Sequence, residues 1–270
     1  MPSVAEVPPV SEVGKTLIEV QDLTAAYDGQ VILERVSFTV RAGEILTIIG
    51  GSGCGKTTLL KHMIGLYRPA AGTIRIDGED ITAAEGEART RILRKIGVMY
   101  QGGALFGSMT LQENVRLPLE EHTHLPARAM DMVSAMKLRM VGLAGSEHFL
   151  PAEISGGMVK RAAIARAMAL DPRILFLDEP SAGLDPISSA RLDRLIVKLA
   201  HALGITFVIV THEIPSVMAI ADRLILLDKQ ARGIVVSGIP SEVVQREEHP
   251  LVRRFFRRNS EAEPDDPAED

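Results

Sequence analysis

The chain has 270 residues, 46% of them hydrophobic and 24% charged, the composition of an ordinary globular protein with room for one large or two modest cores. Its net charge of −5 is concentrated at one end: the last twelve residues, NSEAEPDDPAED, hold six acids and no base, and setting those six apart from the 35 acids leaves 29 against 30 bases. A near-neutral body lacks the basic bias of a nucleic-acid binder, and apolar runs the size of ITFVIV (205–210) fall far short of the ~20 residues that a membrane-spanning helix needs.

The opening stretch, MPSVAEVPPVSEVGK, has no apolar core of a signal peptide and is broken by prolines, so residues 1–16 read as a disordered leader. Residues 17–49 alternate β-like runs with turns and end in the apolar EILTIIG, a buried-strand pattern that feeds GGSGCGKTTLLKHMIGL, a glycine loop followed by a helix. GTIRIDGEDI (72–81) returns to β alternation. From about 109 to 150 the pattern is helical, and Met132, Met136 and Met140 form a stripe at i, i+4 spacing that predicts the core of a helical subdomain, with a partner surface as the alternative. ILFLDE (174–179) and ITFVIVTHE (205–213) read as strands flanking a helix over 186–203. Strands alternating with helices predict an α/β fold with a parallel sheet, interrupted by an all-helical insertion at about 103–165. RRFFRR (253–258) reads as a short amphipathic end that docks on the body or on a neighbour, and residues 259–270 as a solvated, disordered acidic tail or an interaction arm. The single cysteine, Cys54, excludes an internal disulfide and suits a reducing compartment.

Chemistry gathers at the strand ends. GGSGCGKT (50–57) satisfies G-x-x-x-x-G-K-[ST] between a strand and a helix, where backbone N–H groups of Gly50, Gly51, Ser52, Gly53, Cys54 and Gly55 curl around phosphate oxygens. Lys56 is placed to reach the β and γ phosphates of a nucleotide and the Thr57 hydroxyl to ligate Mg²⁺. Asp178, closing an apolar strand, suits the same Mg²⁺ through Thr57 or water, and Glu179 is placed to polarise a water toward the γ-phosphate. Gln101, after VMY, suits the Mg²⁺ and water shell. His212 becomes a γ-phosphate sensor only if its strand lies beside that of Asp178. A second anion site stands at Ser155, Gly156 and Gly157, where a Ser and two glycines open a helix without a lysine.

In this order the motifs resemble the nucleotide-binding subunit of ABC transporters, over roughly residues 17–240. By that resemblance Tyr27 stacks on adenine, GGSGCGKTT (Gly50 to Thr58) is the Walker A loop, Gln101 the Q-loop, ISGGM the signature, ILFLDE the Walker B strand, SAGLD (181–185) the D-loop and His212 the switch histidine. The family fold it implies is a P-loop cassette with a parallel core sheet, an N-terminal antiparallel β subdomain and an inserted helical subdomain, spanning 17–258. It further implies that two copies face head to tail, so that Ser155, Gly156 and Gly157 of one copy close over the ATP and Mg²⁺ held by the other. The signature departs from the usual form, with Ile154 for Leu and Met158 for Gln, which puts a polar role for that side chain in question but not the backbone contacts. SGGMVKRAAIARA, YQGGALFGSMTLQENV and PLEEHTHLP narrow the resemblance to the ATPase of Mla-type, Mce-associated phospholipid transporters of Gram-negative bacteria. The partners so implied are a membrane permease, an Mce-domain substrate-binding protein and a STAS-domain regulator, at the cytoplasmic face of the inner membrane and with no nucleic acid. A small-solute importer ATPase and a soluble ABC ATPase remain as alternatives.

Overall fold

A computed structural model describes residues 14–27, 29–246 and 250–260, so the predicted leader up to residue 13 and the acidic tail from 261 lie outside the described residues. Two sheets organise the molecule. Strands β1 (Thr16–Tyr27), β2 (Gln30–Arg41), β4 (Ala71–Ile76) and β5 (Glu79–Asp80) form an antiparallel sheet in the order β2-β1-β4-β5. Strands β3 (Ile45–Gly50), β6 (Ile96–Met99), β7 (Ile174–Asp178), β8 (Thr206–Val210), β9 (Arg223–Asp228) and β10 (Gly233–Gly238) form the second, in the order β10-β9-β3-β8-β7-β6. It is parallel from β9 to β6, with β10 added antiparallel at one edge.

Every residue of β3, β7 and β8 is buried. Both faces of these strands are covered, which is why they read as continuous apolar runs. Alternate side chains point to opposite faces. Leu46, Ile48, Ile174, Phe176, Val208 and Val210 join one core with the antiparallel sheet and helix α1 (Lys56–Met63). Ile45, Leu175, Leu177, Phe207 and Ile209 enter a second core on the other face. That second core is closed by α3 (Leu111–His122), α4 (Ala127–Met140), α5 (Gly156–Ala167) and α6 (Pro186–Leu203), with α2 (Gly86–Leu93) on the β4–β6 connection. The remaining helices are α7 (Ile214–Ile220), α8 (Pro240–Val244) and α9 (Pro250–Ser260).

The inserted helices α3–α5 lie between β6 and β7, where the sequence pattern places them. Their ends are locally encoded. A Thr110–Glu113 capping box starts α3, Ser155 caps α5, and Asp185 caps α6 by accepting from the N–H groups of Ile187 and Ser188. The methionine stripe is corrected. Met132 is 68% and Met136 48% exposed, and only Met140 packs against the core. α4 carries a second apolar stripe, Met130, Val133, Leu138 with Val141 beyond, and this is the one that faces the core. Of RRFFRR, Phe255 and Phe256 pack on a small core of the body with buried Val252 and Val217.

Candidate nucleotide site

The ends of three adjacent parallel strands converge. β3 runs out at Gly50 into the glycine loop, β7 at Asp178 and β8 at Val210, and β8 lies between the other two. Gly55 precedes α1 with φ 101°, a left-handed conformation that a side chain would oppose, and a Cβ there would press on Leu33. The loop then delivers Lys56 and Thr57 as the first two residues of α1, so the helix N-terminus faces the strand ends. Gly51, Ser52 and Gly53 are exposed, Thr58 is half-buried, and the Cys54 thiol is buried while its N–H donates to the Gly51 carbonyl at 3.3 Å. The Lys56 Nζ folds back on its own loop, donating to the carbonyls of Gly50 at 2.8 Å and Gly51 at 3.2 Å.

The Thr57 hydroxyl donates to Oδ1 of Asp178 at 3.4 Å, which brings the two expected Mg²⁺ ligands together. Burial pushes the Asp178 carboxyl above its ordinary value and the adjacent Glu179 adds to this, against the Thr57 bond and the charges of Lys61 and Lys56. Asp178 pairs with Val210 in the β7–β8 ladder, so the condition placed on His212 is met. His212 Nδ1 lies 2.9 Å from Oε2 of Glu179. That oxygen is buried and its contact with the imidazole lacks hydrogen-bond alignment; the Ser181 hydroxyl is buried with no hydrogen-bond partner among the described residues. Both groups keep hydrogen-bonding capacity to spare.

Not every expected residue is drawn in. Gln101 follows β6 on the far side of β7 and is exposed, with no hydrogen bond to Thr57, Asp178 or Glu179 among the described residues. Tyr27 ends β1 and is exposed. Ser155, Gly156 and Gly157 open α5, and the Ser155 hydroxyl accepts from the Met158 N–H at 3.3 Å. No hydrogen bond or ion pair among the described residues links them to the glycine loop of the same chain. Sequence reasoning missed two cations on α5. Arg166 donates to the carbonyls of Ala104 and Gly103 beside the Gln101 turn, and Lys160 donates to the carbonyl of Glu179. A lysine four residues before Ile164, on an inward-facing stripe, was the available signal for the second.

A glycine loop opening a helix, two strand-end carboxylates, a facing histidine and a Ser-capped helix start on an inserted subdomain are the arrangement of an ATP-binding cassette. The chain belongs to the ABC transporter family, whose family model matches residues 33–182. It is 42% identical over 241 residues to the intermembrane phospholipid transport system ATP-binding protein MlaF of Escherichia coli, covering 89% of this chain and 88% of that protein. It is also 42% identical to the probable ribonucleotide transport ATP-binding protein mkl of Mycobacterium tuberculosis, over 88% of this chain but only 66% of that longer protein. A solved dimeric ABC cassette, in a post-hydrolysis state with ADP and Pi, superposes with a TM-score of 0.75 at 29% identity, covering 83% of this chain and 99% of that one.

Proposed function

We propose that the chain is the ATP-hydrolysing subunit of a transporter that moves phospholipid between the inner and outer membranes of a bacterium. The observation that carries the reading is the junction of Thr57, Asp178, Glu179 and His212 at the ends of β3, β7 and β8. Among the described residues no three His, Cys, Asp or Glu side chains converge on a metal-sized site. A hard cation here therefore takes only a few protein oxygens, which suits Mg²⁺ with water and phosphate as its remaining ligands. Thr57 and Asp178 would hold it, with Gln101 approaching as the subdomains close; bound there, the ion neutralises phosphate charge. Lys56 leaves its own loop carbonyls for the β and γ phosphates, and the amides of residues 50–58 cradle them. Glu179 orients the attacking water and accepts its proton, while His212 fixes the carboxylate through Oε2 and faces the γ-phosphate. Tyr27 stacks on the adenine. Ser155, Gly156 and Gly157 close over the γ-phosphate held by a second copy.

The 42% identity with MlaF over most of both chains supports the lipid cargo, and with it a permease, an Mce-domain protein and a STAS-domain regulator as partners at the cytoplasmic face of the inner membrane. No described helix is long and apolar enough to cross a membrane, which suits attachment through a permease. Equal identity with a probable ribonucleotide transport protein favours a second cargo. Phospholipid transfer between vesicles by the reconstituted complex, set against ribonucleotide uptake, separates the two. The site itself is tested with Glu179→Gln, which keeps size but loses the base: MgATP still binds and hydrolysis falls by ~10² or more. Turnover at the parent rate would refute the assignment.

A further inference from the structure

One side chain on α5 is out of keeping with its surroundings. Lys160 lies a turn and a half beyond Ser155, is 6% exposed, and shares its face with the fully buried Ala163 and Ile164. A buried ammonium is costly unless it is given acceptors. Its Nζ donates to the backbone carbonyl of Glu179 at 3.4 Å. The same oxygen accepts the Ala182 N–H at 3.2 Å, which closes the turn into SAGLD. Glu179 itself has φ 48°, a left-handed conformation that a residue with a side chain rarely adopts unaided. The direction of its peptide is therefore held by neighbours: the Val210 carbonyl, which accepts its N–H at 2.8 Å, and Lys160 and Ala182 at its oxygen. Burial pushes the Lys160 ammonium down from its ordinary value, and the charges of Glu179 and Asp178 oppose that loss.

We propose that Lys160 is a positioning residue for ATP hydrolysis: through the Glu179 carbonyl it ties the helix that Ser155 caps to the peptide that aims the Glu179 carboxylate. α5 is then a rigid lever with an anion-binding start at one end of its first two turns and a grip on Glu179 at the other. When α5 seats on the γ-phosphate of a second copy, the chain's own Glu179 is brought into aim, so each shared site reports its occupancy to the other. The inference rests on Glu179 being the group that orients water.

The test compares full-length Lys160→Met, Lys160→Arg and Glu179→Gln in steady-state ATP hydrolysis, with thermal unfolding measured alongside. Methionine keeps the unbranched shape and suits a buried face, and the Glu179 carbonyl it leaves still accepts the Ala182 N–H. For Lys160→Met the expected result is a fall in kcat of about tenfold to 10²-fold, with KM for ATP within about twofold and Tm not lowered. Lys160→Arg should recover most of the rate. A Lys160→Met rate within about twofold of the parent overturns the inference. So does a loss of kcat that comes with a lowered Tm and is not recovered by arginine, which marks an ordinary structural lysine. If Glu179→Gln is inactive while Lys160→Met is normal, only this inference fails; if Glu179→Gln is active, the reading of the site fails with it.

Discussion

A carboxylate that is to activate water must be aimed before the substrate arrives, because aiming it during the reaction costs rate. Glu179 is aimed by contacts on several sides: its N–H on Val210, its carbonyl on Ala182 and Lys160, and its Oε2 at 2.9 Å from His212. Of these, the histidine contact is the one that touches the reacting end. His212→Ala takes away the imidazole packed against that buried oxygen and leaves the carboxylate free to turn away. We expect single-turnover hydrolysis to fall by about 10²-fold, with nucleotide affinity held by the untouched Lys56 loop. Equilibrium binding of MgATP measured beside the single-turnover rate separates the two effects, and a variant that loses both in parallel contradicts this division of labour. The pairing of His212 with Glu179 could be posed from sequence only as a condition, since the two residues are 33 positions apart and meet through strand order. Thr57 and Asp178 were legible because a glycine loop and an apolar strand ending in acids each announce themselves locally.

At the scale of elements, caps and close approaches decide how the helices seat on the sheet. α5 crosses β6 so closely that a Cβ on Gly97 would lie 2.1 Å from the Ala167 carbonyl, so a glycine there lets the helix carrying Ser155 and Lys160 lie flat on the sheet. α6 and α7 are joined by a buried bond from the Ser216 hydroxyl to Oδ2 of Asp193 at 2.8 Å. Burial holds the Asp193 carboxyl above its ordinary 3.8, against the Ser216 bond and with help from the Glu213 charge. A raised folded-state value means that the folded chain binds this proton more tightly than the unfolded one. The contribution of this group to stability is then fully present below pH 3.8 and is lost as pH rises from 3.8 through the folded-state value. Asp193→Asn keeps an acceptor for Ser216 and never ionises. It should raise stability, and with it Tm, at pH 7. The gain should vanish toward pH 3.8, and thermal unfolding at both pH values checks the sign. The apolar faces of α4 show what periodicity leaves open: two stripes at helical spacing were present, and only packing against α3 and α5 chose Met130, Val133 and Leu138 over Met132 and Met136.

The whole molecule presents a glycine loop at α1 and a Ser-capped start of α5 with no hydrogen bond or ion pair between them among the described residues, while its family forms dimers such as the solved cassette with ADP and Pi. If the two sites complete each other across a dimer, ATP is the ligand that holds the halves together and hydrolysis releases them. The Glu179→Gln chain, expected to bind ATP without turning it over, should accumulate as a dimer with ATP and Mg²⁺. Adding Ser155→Arg puts bulk and a guanidinium at the start of α5 and should return it to monomer. Sedimentation with and without ATP reads both, and a double variant that still dimerises would sink the shared-site arrangement.

The sequence by itself determined the local grammar of this protein: buried strands as unbroken apolar runs, a helix start at Ser155, the glycine loop, and the order of motifs that marks the family. These are written in neighbouring residues, because period, capping and turn chemistry act over a few positions. The sequence pattern does not single out β9 and β10, although RLILLD has the same apolar character as β3 and β7. Tertiary structure alone decided that β8 lies between β3 and β7, which of two stripes on α4 faces inward, and that Lys160 grips the peptide of Glu179. The physical reason is that parallel pairing and face selection depend on groups brought together from distant parts of the chain, whose mutual fit no single segment carries.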